Sequence, residues 1–356
     1  MICKVVLVLF LVTSKLVACT GLMLTAEDQT SVSGRTIEFG QNLDMSVAVI
    51  PRNFTFTATT PKGDGLVYTS KYGAVGGTCF ESQILMDGMN EKGLVVGSFY
   101  FPGFAKYTPT TANNQKKSLS PIDFPNWILT QFANLEEVRA GVENVVIAPT
   151  ILKDWGQAPA PMHYIVYDAN GKSIVIEPLD GTLVVSDNPI GVFTNSPTFD
   201  WHLTNLRNFI NLSPYNVAPI DLGNLKLAAF GQGSGMVGLP GDFTPASRFV
   251  RSAIFSAAAI ASKSSSAAVD QAFHILNQFD IPVGVVRQKE QSETSYDYTL
   301  MTTVKDPQSL KYYYRSYGNQ AIEFVDLTQF DLDAKQIKSL KIVGKQKSFD
   351  ASHLLH

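Results

Sequence analysis

The interpretation of this chain depends on one stretch of sequence, Leu16-Val17-Ala18-Cys19-Thr20-Gly21. This stretch follows residues 1–4, which include one basic residue, and an unbroken apolar run, Val5–Val12. The apolar run is far shorter than the ~20 residues that a membrane-spanning helix needs, and a small residue stands at the cleavage position. Residues 1–18 are therefore predicted to form a signal peptide whose removal leaves Cys19 as the first residue.

A first-residue cysteine carries a thiol and a free α-amine on the same residue. The amine has a pKa of about 7.7–8.0 and can act as a base, and the thiol is a strong nucleophile once a base activates it. Two other interpretations compete: an ordinary buried cysteine, or the lipidated cysteine of a bacterial lipoprotein, whose signal Leu16–Cys19 also fits. Lipidation would anchor the chain in a membrane and abolish the nucleophile, so this stretch alone leaves the choice open.

Length and composition limit the classes of protein to consider. The chain has 356 residues, of which 45% are hydrophobic and 17% charged, and this is compatible with one large domain or two small ones and is ample for a sizeable core. A net charge of −3 gives no reason to expect a nucleic-acid partner. The histidines show no metal-ligand spacing, and two cysteines in a mature chain of this size are no disulfide framework. No metal or cofactor is therefore predicted.

The hydrophobic pattern predicts an antiparallel-rich α+β protein, because strands, helices and strands follow one another without a βαβ alternation. A turn is expected at residues 87–93, and a helix that Asp123 caps is expected to run through Val138. The other expected elements are strands at 21–25, 35–39, 47–51 and 94–101, hairpins 173–177/182–186 and 295–304/310–317, and helices at 249–263 and 269–279. No linker or repeat divides residues 19–356, which favours a single domain.

Arg35 stands in an otherwise apolar strand, where a buried guanidinium group needs a partner. One interpretation is a structural ion pair with Glu38 or Asp44. The other is that Arg35 lies beside the thiol of Cys19 and lowers its pKa. The sequence around Arg35 does not decide between them.

Two further polar residues stand where active sites are often built. Asn195 ends an apolar strand, where its amide is either a turn former or a donor to an oxyanion. Arg248 is expected in the first turn of a helix that Asp242 or Ser247 caps. A cation there is unfavourable against the helix dipole, so Arg248 needs a nearby carboxylate or an active site.

With these motifs in order, the chain resembles the choloylglycine hydrolase family of N-terminal-nucleophile hydrolases, which includes bile salt hydrolases and penicillin V acylases. The resemblance extends from Cys19 to about Tyr317, and it favours an enzyme over a lipoprotein. It implies an αββα four-layer sandwich of two antiparallel sheets between helical layers. The motifs that carry it are Cys19-Thr20-Gly21, Gly34-Arg35-Thr36, Asn90-Glu91-Lys92-Gly93-Leu94, Thr194-Asn195-Ser196-Pro197 and Ser247-Arg248-Phe249-Val250-Arg251.

The resemblance also implies roles for individual residues. Cys19 would be the nucleophile, with its own α-amine as the base, and Arg35 would lie close to the thiol. The side-chain amide of Asn195 and the backbone N–H of Tyr100 would bind the oxyanion, and Arg248 would complete the polar site. The expected reaction is hydrolysis of a linear amide by acyl transfer.

Two positions differ between this chain and some members of the family. Glu38 stands where the family usually has aspartate; it is expected to hold the α-amine, although its extra methylene changes its reach. Tyr100 stands where bile salt hydrolases usually have Asn and penicillin V acylases have Tyr. This favours penicillin V or another aryl-acyl amide, with conjugated bile salts, N-acyl homoserine lactones and N-acylethanolamines as alternatives.

The remaining expectations concern partners and location. A small-molecule amide is the expected substrate, bound in an apolar pocket that the aromatic run predicts near Tyr100, Phe101 and Phe104. The resemblance implies that no cofactor is needed, and it suggests a homotetramer, since the family is often tetrameric. The signal peptide predicts an exported protein, periplasmic or extracellular, without a membrane anchor. The alternative from another class is a non-catalytic surface lipoprotein that is lipidated on Cys19.

Overall fold

The computed structural model describes residues 18–290, 293–346 and 348–355, so the predicted signal peptide lies outside the described residues except for Ala18. The helices are α1 Asp123–Gln131, α2 Leu135–Val142, α3 Phe199–Asn205, α4 Pro245–Ala258 and α5 Ser265–Leu276. The strands are β1 Cys19–Thr25, β2 Ser31–Phe39, β3 Ser46–Ile50, β4 Thr55–Thr60, β5 Gly63–Thr69, β6 Ala74–Thr78, β7 Asp87–Asn90, β8 Val95–Tyr100, β9 Ser118–Leu119, β10 Val146–Ile147, β11 Met162–Tyr167, β12 Ser173–Leu179, β13 Thr182–Asp187, β14 Ile220–Leu222, β15 Leu225–Leu227, β16 Val286–Glu290, β17 Glu293–Asp306, β18 Lys311–Ser316, β19 Asn319–Asp326 and β20 Lys338–Lys341.

Two antiparallel sheets stack face to face between helical layers. One sheet has the order β1-β2-β17-β18-β19, with β16 paired to β17, and the other has the order β13-β12-β11-β8-β7-β6-β3-β20. Helices α4 and α5 cover the outer face of the first sheet, and α1 covers the second. This arrangement is the αββα sandwich, so the predicted fold is confirmed.

Strand β2 shows why the sheets stack in this way. All nine of its residues are buried, because one face packs on the second sheet and the other packs on α5. Ile37 and Phe39 belong to the core between the sheets, whereas Val32 belongs to a second core that includes Leu276 of α5. A strand covered on both faces loses the alternation of polar and apolar residues, so the polar side chains of β2 are buried as well.

The expected turn at residues 87–93 is wrong in its first half, and the expected helix through Val138 is broken. Residues 87–90 form strand β7, and α1 ends at Gln131 before α2 starts at Leu135. The buried side chain of Asn90 connects the two regions: its Nδ2 donates to the carbonyl oxygens of Leu129 and Phe132, at 2.8 and 2.7 Å. The carbonyl groups at the end of α1 therefore bind a strand instead of a further helical turn.

The expected cap of α1 is also wrong. Asp123 is the first residue of the helix, not the residue before it. Its carboxylate accepts the backbone N–H groups of Thr59 and Ser120, both at 3.2 Å. Asp123 therefore ties the helix start to a neighbouring hairpin.

Among the residues that the structure describes, no helix is long and apolar enough to cross a membrane.

Asn90→Ala is expected to destabilise the protein by about 3 kcal/mol or more. Asn90 Oδ1 also accepts the N–H groups of Lys92 and Leu94, so the substitution leaves four buried or half-buried backbone groups without a partner. Urea unfolding measures the change. Asn113→Ala, at an exposed position, is the control and should change stability by less than about 0.5 kcal/mol.

Candidate active site

Cys19 is the first residue of β1, and it is buried at the inner face of the sandwich. It pairs with Ile37 of β2, and the carbonyl group of Ala18 accepts the backbone N–H of Glu38 at 3.1 Å. A cavity of about 40 Å³, here called the thiol cavity, is lined by residues that include Cys19, Arg35, Glu38 and Tyr100. Burial raises the pKa of the thiol, and the positive charge of Arg35 acts in the opposite direction.

Position 21 is a glycine because neighbouring groups leave no space for a side chain there. Gly21 exchanges two backbone hydrogen bonds with Phe193, of 2.7 and 3.0 Å, and this closes the free edge of β1. A Cβ atom on Gly21 would lie 2.9 Å from the ring of Phe99. Only glycine therefore permits the close packing of β1 against the second sheet.

Arg35 lies beside Cys19 in the thiol cavity, and its positive charge lowers the pKa of the thiol. Its Nη1 donates to the carbonyl oxygen of Ser98 at 2.6 Å, and its guanidinium lies 3.9 Å from the centre of the Phe99 ring. The predicted ion pair between Arg35 and Asp44 is wrong, because Asp44 lies at the surface, where its Oδ1 is 3.4 Å from Lys341 Nζ. The carboxylate that the structure pairs with Arg35 is Asp87, at 4.0 Å.

Asp87 is the centre of a buried polar cluster that the sequence analysis did not find. Its carboxylate accepts Lys305 Nζ at 2.6 Å and the hydroxyl groups of Thr303 and Tyr312, both at 3.0 Å. Burial lowers the pKa of Lys305 to about 8, although Asp87 opposes the shift. Because Asp87 is on β7 and its partners are on β17 and β18, the cluster joins the two sheets directly behind Arg35.

Asn195 and Arg248 meet at the backbone of Cys19. Asn195 Oδ1 accepts the backbone N–H of Cys19 at 2.7 Å and Arg248 Nη2 at 2.8 Å, and its Nδ2 donates to the carbonyl oxygen of Tyr100 at 2.8 Å. Arg248 Nη1 donates to the carbonyl oxygen of Cys19 and to the hydroxyl of Thr20. Arg248 is completely buried, and burial lowers its pKa to about 10.

The helix that carries Arg248 starts earlier than expected. Thr244, not Asp242 or Ser247, is the N-cap of α4, and Pro245 occupies the first turn. Asp242 instead accepts the hydroxyl of Ser247 at 2.6 Å. The unfavourable position of Arg248 in the first turn is explained by its contacts with Cys19 and Asn195, as the sequence required.

Two buried histidines, which showed no pattern in the sequence, hold the segment that carries Asn195. His163 Nε2 lies 3.0 Å from the carbonyl oxygen of Thr194, and His202 Nε2 lies 2.9 Å from that of Asn195. Burial lowers the pKa of both, that of His202 to about 4. His202 is therefore a neutral donor near neutral pH. His163 Nδ1 also lies 3.2 Å from Glu177 Oε1, so both ring nitrogens of His163 face oxygen atoms, and the two rings fix the backbone on both sides of the Asn195 amide.

Glu38 is buried on the outer side of Cys19. Its Oε1 accepts the hydroxyl of Thr299 at 2.9 Å, and its Oε2 has no hydrogen-bond partner among the described residues. Burial raises the pKa of Glu38 to about 8, against the opposing charge of Arg248. An unpaired buried carboxyl oxygen is a position where a new hydrogen-bond donor would be stabilised.

Of the three aromatic residues near which an acyl pocket is expected, Tyr100, Phe101 and Phe104, only Tyr100 lines the thiol cavity. Phe101 is completely buried and stacks on His163, with ring centres 4.0 Å apart, and Phe104 packs on Phe101. Neither lines the thiol cavity. Its apolar walls are instead built by Ile37, Phe39, Leu43, Met45, Cys79, Met86, Trp155 and Met162.

A second opening lies on the other side of Cys19. This cleft, here called the Ala18 cleft, has a volume of about 620 Å³, and its lining includes Ala18, Asn195, Arg248 and Asp297. Burial raises the pKa of Asp297 to about 7, and Arg248 opposes the shift. Of the six residues singled out in the sequence, Cys19, Arg35, Glu38 and Tyr100 line the thiol cavity, and Asn195 and Arg248 line the cleft.

Two stacked antiparallel sheets between helical layers, with a cysteine at the start of the first strand, define the class of N-terminal-nucleophile hydrolase folds. Comparison with known proteins identifies the family. Residues 19–340 match the linear amide C–N hydrolases of the choloylglycine hydrolase family, and the chain belongs to this family. It is therefore a hydrolase of carbon–nitrogen bonds in linear amides.

Individual relatives agree with this assignment. The chain is 37% identical to a bile salt hydrolase/transferase of Clostridium perfringens over 91% of its own length and 96% of the relative's. A crystal structure of a variant conjugated bile acid hydrolase from the same organism has a TM-score of 0.83 at 35% identity, covering 93% and 99% of the two chains. Penicillin V acylase from Agrobacterium tumefaciens has a TM-score of 0.73 at 25% identity, covering 91% of each chain.

Glu38→Gln is expected to stabilise the chain that retains Ala18, increasingly so as the pH rises. The pKa of Glu38 is raised on folding, so its favourable contribution is complete below about pH 4.5 and is lost as the pH rises through about 8. Glutamine stays neutral throughout. Urea unfolding at pH 5 and pH 8.5 should show the gap between variant and wild type grow by about 2–4 kcal/mol.

The matched control is Glu136→Gln, at an exposed position on α2. Its stability relative to wild type should not change with pH by more than about 0.5 kcal/mol. A Glu38→Gln variant that behaves like Glu136→Gln would show that the Glu38 carboxyl group is not shielded from water.

Proposed function

We propose that the chain is exported and that, after cleavage behind Ala18, Cys19 acts as the nucleophile that hydrolyses a small-molecule amide. The observation that carries this proposal is the hydrogen bond of 2.7 Å from the Cys19 nitrogen to Asn195 Oδ1, and Glu38, whose Oε2 has no partner among the described residues, lines the same cavity as Cys19. Cleavage would convert this nitrogen into an α-amine that Asn195 Oδ1 accepts, and Glu38 is proposed to hold it as well. The amine would then take the thiol proton as a general base.

The proposed reaction is an acyl transfer in two steps. The Cys19 thiolate attacks the amide carbonyl, a C–S bond forms, and the α-amine passes the proton to the leaving nitrogen as the C–N bond breaks. Water then hydrolyses the thioester with the amine as base. Arg35 supports the thiolate, because its charge lowers the pKa that burial raises.

Asn195 and the backbone N–H of Tyr100 are proposed to bind the oxyanion. An amide NH₂ group has two hydrogen atoms, and Asn195 Nδ2 uses one of them for the carbonyl oxygen of Tyr100. The second hydrogen remains for the oxyanion. Loss of one such donor typically costs about 2.7–4 kcal/mol of barrier. No cofactor is proposed.

The substrate class follows from the relatives and from Tyr100. The relatives are named for bile salts and for penicillin V, and Tyr100 favours the aryl-acyl amide. Acyl homoserine lactones and N-acylethanolamines are the alternatives with the same chemistry, because a thioester intermediate forms with any acyl group that fits beside Cys19.

A homotetramer remains the proposed assembly. The exposed apolar side chains of Ile220, Leu222 and Leu225 on the β14–β15 hairpin support contacts between copies.

The mature chain is expected to hydrolyse penicillin V faster than conjugated bile salts, acyl homoserine lactones or N-acylethanolamines. Release of the free amine measures each reaction. Cys19→Ala should be folded by circular dichroism and inactive on every substrate, while Asn113→Ala, at an exposed position that lines neither the thiol cavity nor the Ala18 cleft, should keep the activity. Full activity of Cys19→Ala would contradict the proposed nucleophile.

The protein isolated from its native host is expected to be soluble, with an intact mass that corresponds to residues 19–356 without a lipid. The surface lipoprotein is the competing function. Cys19 is only 4% exposed, so a diacylglyceryl group on its sulfur would have to displace the core that surrounds it. A membrane-bound product with acyl chains on Cys19 would falsify the enzyme proposal, since an acylated amine cannot accept the proton.

A further inference from the structure

Lys305 of β17 is buried between the two sheets, which is a rare position for a lysine. Only 2% of its side chain is exposed, and its ammonium group donates to Asp87 Oδ1 and to Thr303 Oγ1, both at 2.6 Å. An interior ion pair is weak evidence for stability, because apolar side chains of similar size often stabilise a protein as well or better. The Asp87–Lys305 pair therefore calls for an explanation other than stability.

The Asp87–Lys305 pair lies directly behind Arg35. The carboxylate oxygen that accepts Lys305, Asp87 Oδ1, is 4.0 Å from Arg35 Nη1. These three side chains line a cavity of about 10 Å³, which is large enough for at most about one water molecule. The three charges are therefore weakly screened, and they act on one another and on the neighbouring thiol of Cys19.

The charges of Arg35, Asp87 and Lys305 add up to one positive charge. Arg35 and Asp87 without a further partner would form a neutral pair, whose electric field at Cys19 is weaker than that of a guanidinium group alone. Burial lowers the pKa of Lys305 to about 8, so this lysine is mostly protonated near pH 7 and compensates the carboxylate. Arg35 and Asp87 line the thiol cavity but Lys305 does not, so Lys305 acts on the thiol through them.

Two tyrosines also face the Asp87–Lys305 pair. The hydroxyl of Tyr312 on β18 donates to Asp87 Oδ2 at 3.0 Å, and Tyr167 on β11 lines the same cavity of about 10 Å³. Burial raises the pKa of both tyrosines, so both are uncharged near neutral pH. They hold the carboxylate without changing the sum of the charges.

Groups on other elements act on the thiol as well. Glu38 of β2 raises the pKa of Cys19, and Arg248 of α4 lowers it. The α-amine of a first-residue cysteine, with a pKa of about 7.7–8.0, adds a positive charge at low pH. A substitution of Lys305 leaves all of these groups in place. A shift of the thiol pKa in a Lys305 variant therefore reports the charge of the Asp87–Lys305 pair.

We propose that Lys305 is a positioning residue for the reaction of Cys19: it compensates the charge of Asp87 and so leaves the positive charge of Arg35 free to stabilise the thiolate. The proposal rests on the proposed function, because it assumes that the Cys19 thiolate is the nucleophile. Without the charge of Lys305, Asp87 neutralises Arg35 and the thiolate is less stable. Without both charges of the pair, Arg35 again acts alone.

The test is the Lys305→Gln variant, which removes the charge and keeps an amide donor for Asp87. The rate at which iodoacetamide alkylates Cys19 is followed by mass spectrometry of the Cys19 peptide from pH 5 to pH 10. The apparent pKa of the thiol should rise by about one unit. With penicillin V at pH 7, kcat should fall up to about tenfold, while KM should stay within about twofold of wild type.

The matched variant is Asp87→Asn/Lys305→Gln, which removes both charges and retains amide groups that can bond to each other. Arg35 keeps its contacts with Ser98 and Phe99. The thiol pKa should return to within about 0.3 unit of wild type, because the two charges cancel. A purely structural role predicts a larger disturbance than in Lys305→Gln. Lys338→Gln, at an exposed position on β20, is the control and should change neither the pKa nor kcat.

The role of Lys305 is overturned by a thiol pKa that Lys305→Gln leaves unchanged, or by a double variant whose thiol pKa is raised as far as that of the single variant. If Lys305→Gln does not fold, a double variant whose thiol pKa lies about one unit or more above wild type overturns it as well. The expected alkylation shifts in a protein that hydrolyses no substrate would support the role of Lys305 and overturn the proposed function.

Discussion

The contacts of one buried cation, Arg248, determine where Cys19 and Asn195 lie relative to each other. Its guanidinium group donates to the carbonyl oxygen of Cys19, to Asn195 Oδ1 at 2.8 Å and to the carbonyl oxygen of Phe243 at 2.8 Å. These acceptors belong to β1, to the segment after β13 and to the loop before α4. A buried charge is tolerated only when its hydrogen bonds are complete, so the three segments are held together by the requirements of a single side chain.

Arg35, the second buried cation at the site, is supported from the other sheet. Asp87 lies 4.0 Å from Arg35 and is itself held by Lys305 and Tyr312. The thiol therefore lies in a low-dielectric cavity between two guanidinium groups that both lower its pKa, while burial raises it. Fixed charges of this kind need no rearrangement during a reaction, and this is what makes them effective at a charged intermediate.

The residues found from the sequence and those that were missed differ in one physical respect. Cys19 stood out because it follows a predicted signal peptide, and Arg35 and Arg248 because a charge in an apolar strand or at an unfavourable helix position needs an explanation. Asp87 did not, because it precedes a glycine in a predicted turn, and His163 did not, because a histidine can be buried uncharged. Their partners are distant in the chain; Asp87 and Lys305 are 218 positions apart. No local pattern reports such a contact.

The sequence by itself determined the α+β class, the hairpins and the candidates Cys19, Arg35, Asn195 and Arg248, because hydrophobic period, turn residues and misplaced charges are local properties. Glu38 and Tyr100 became candidates only through the family resemblance. Only the tertiary structure decided where α1 ends, since Asn90 of a distant strand satisfies its carbonyl groups. It also decided that Arg35 faces Asp87 and not Asp44, and that Trp155 and not Phe101 bounds the thiol cavity. Which side chains meet across two stacked sheets depends on how the sheets pack, and that packing is a property of the whole chain.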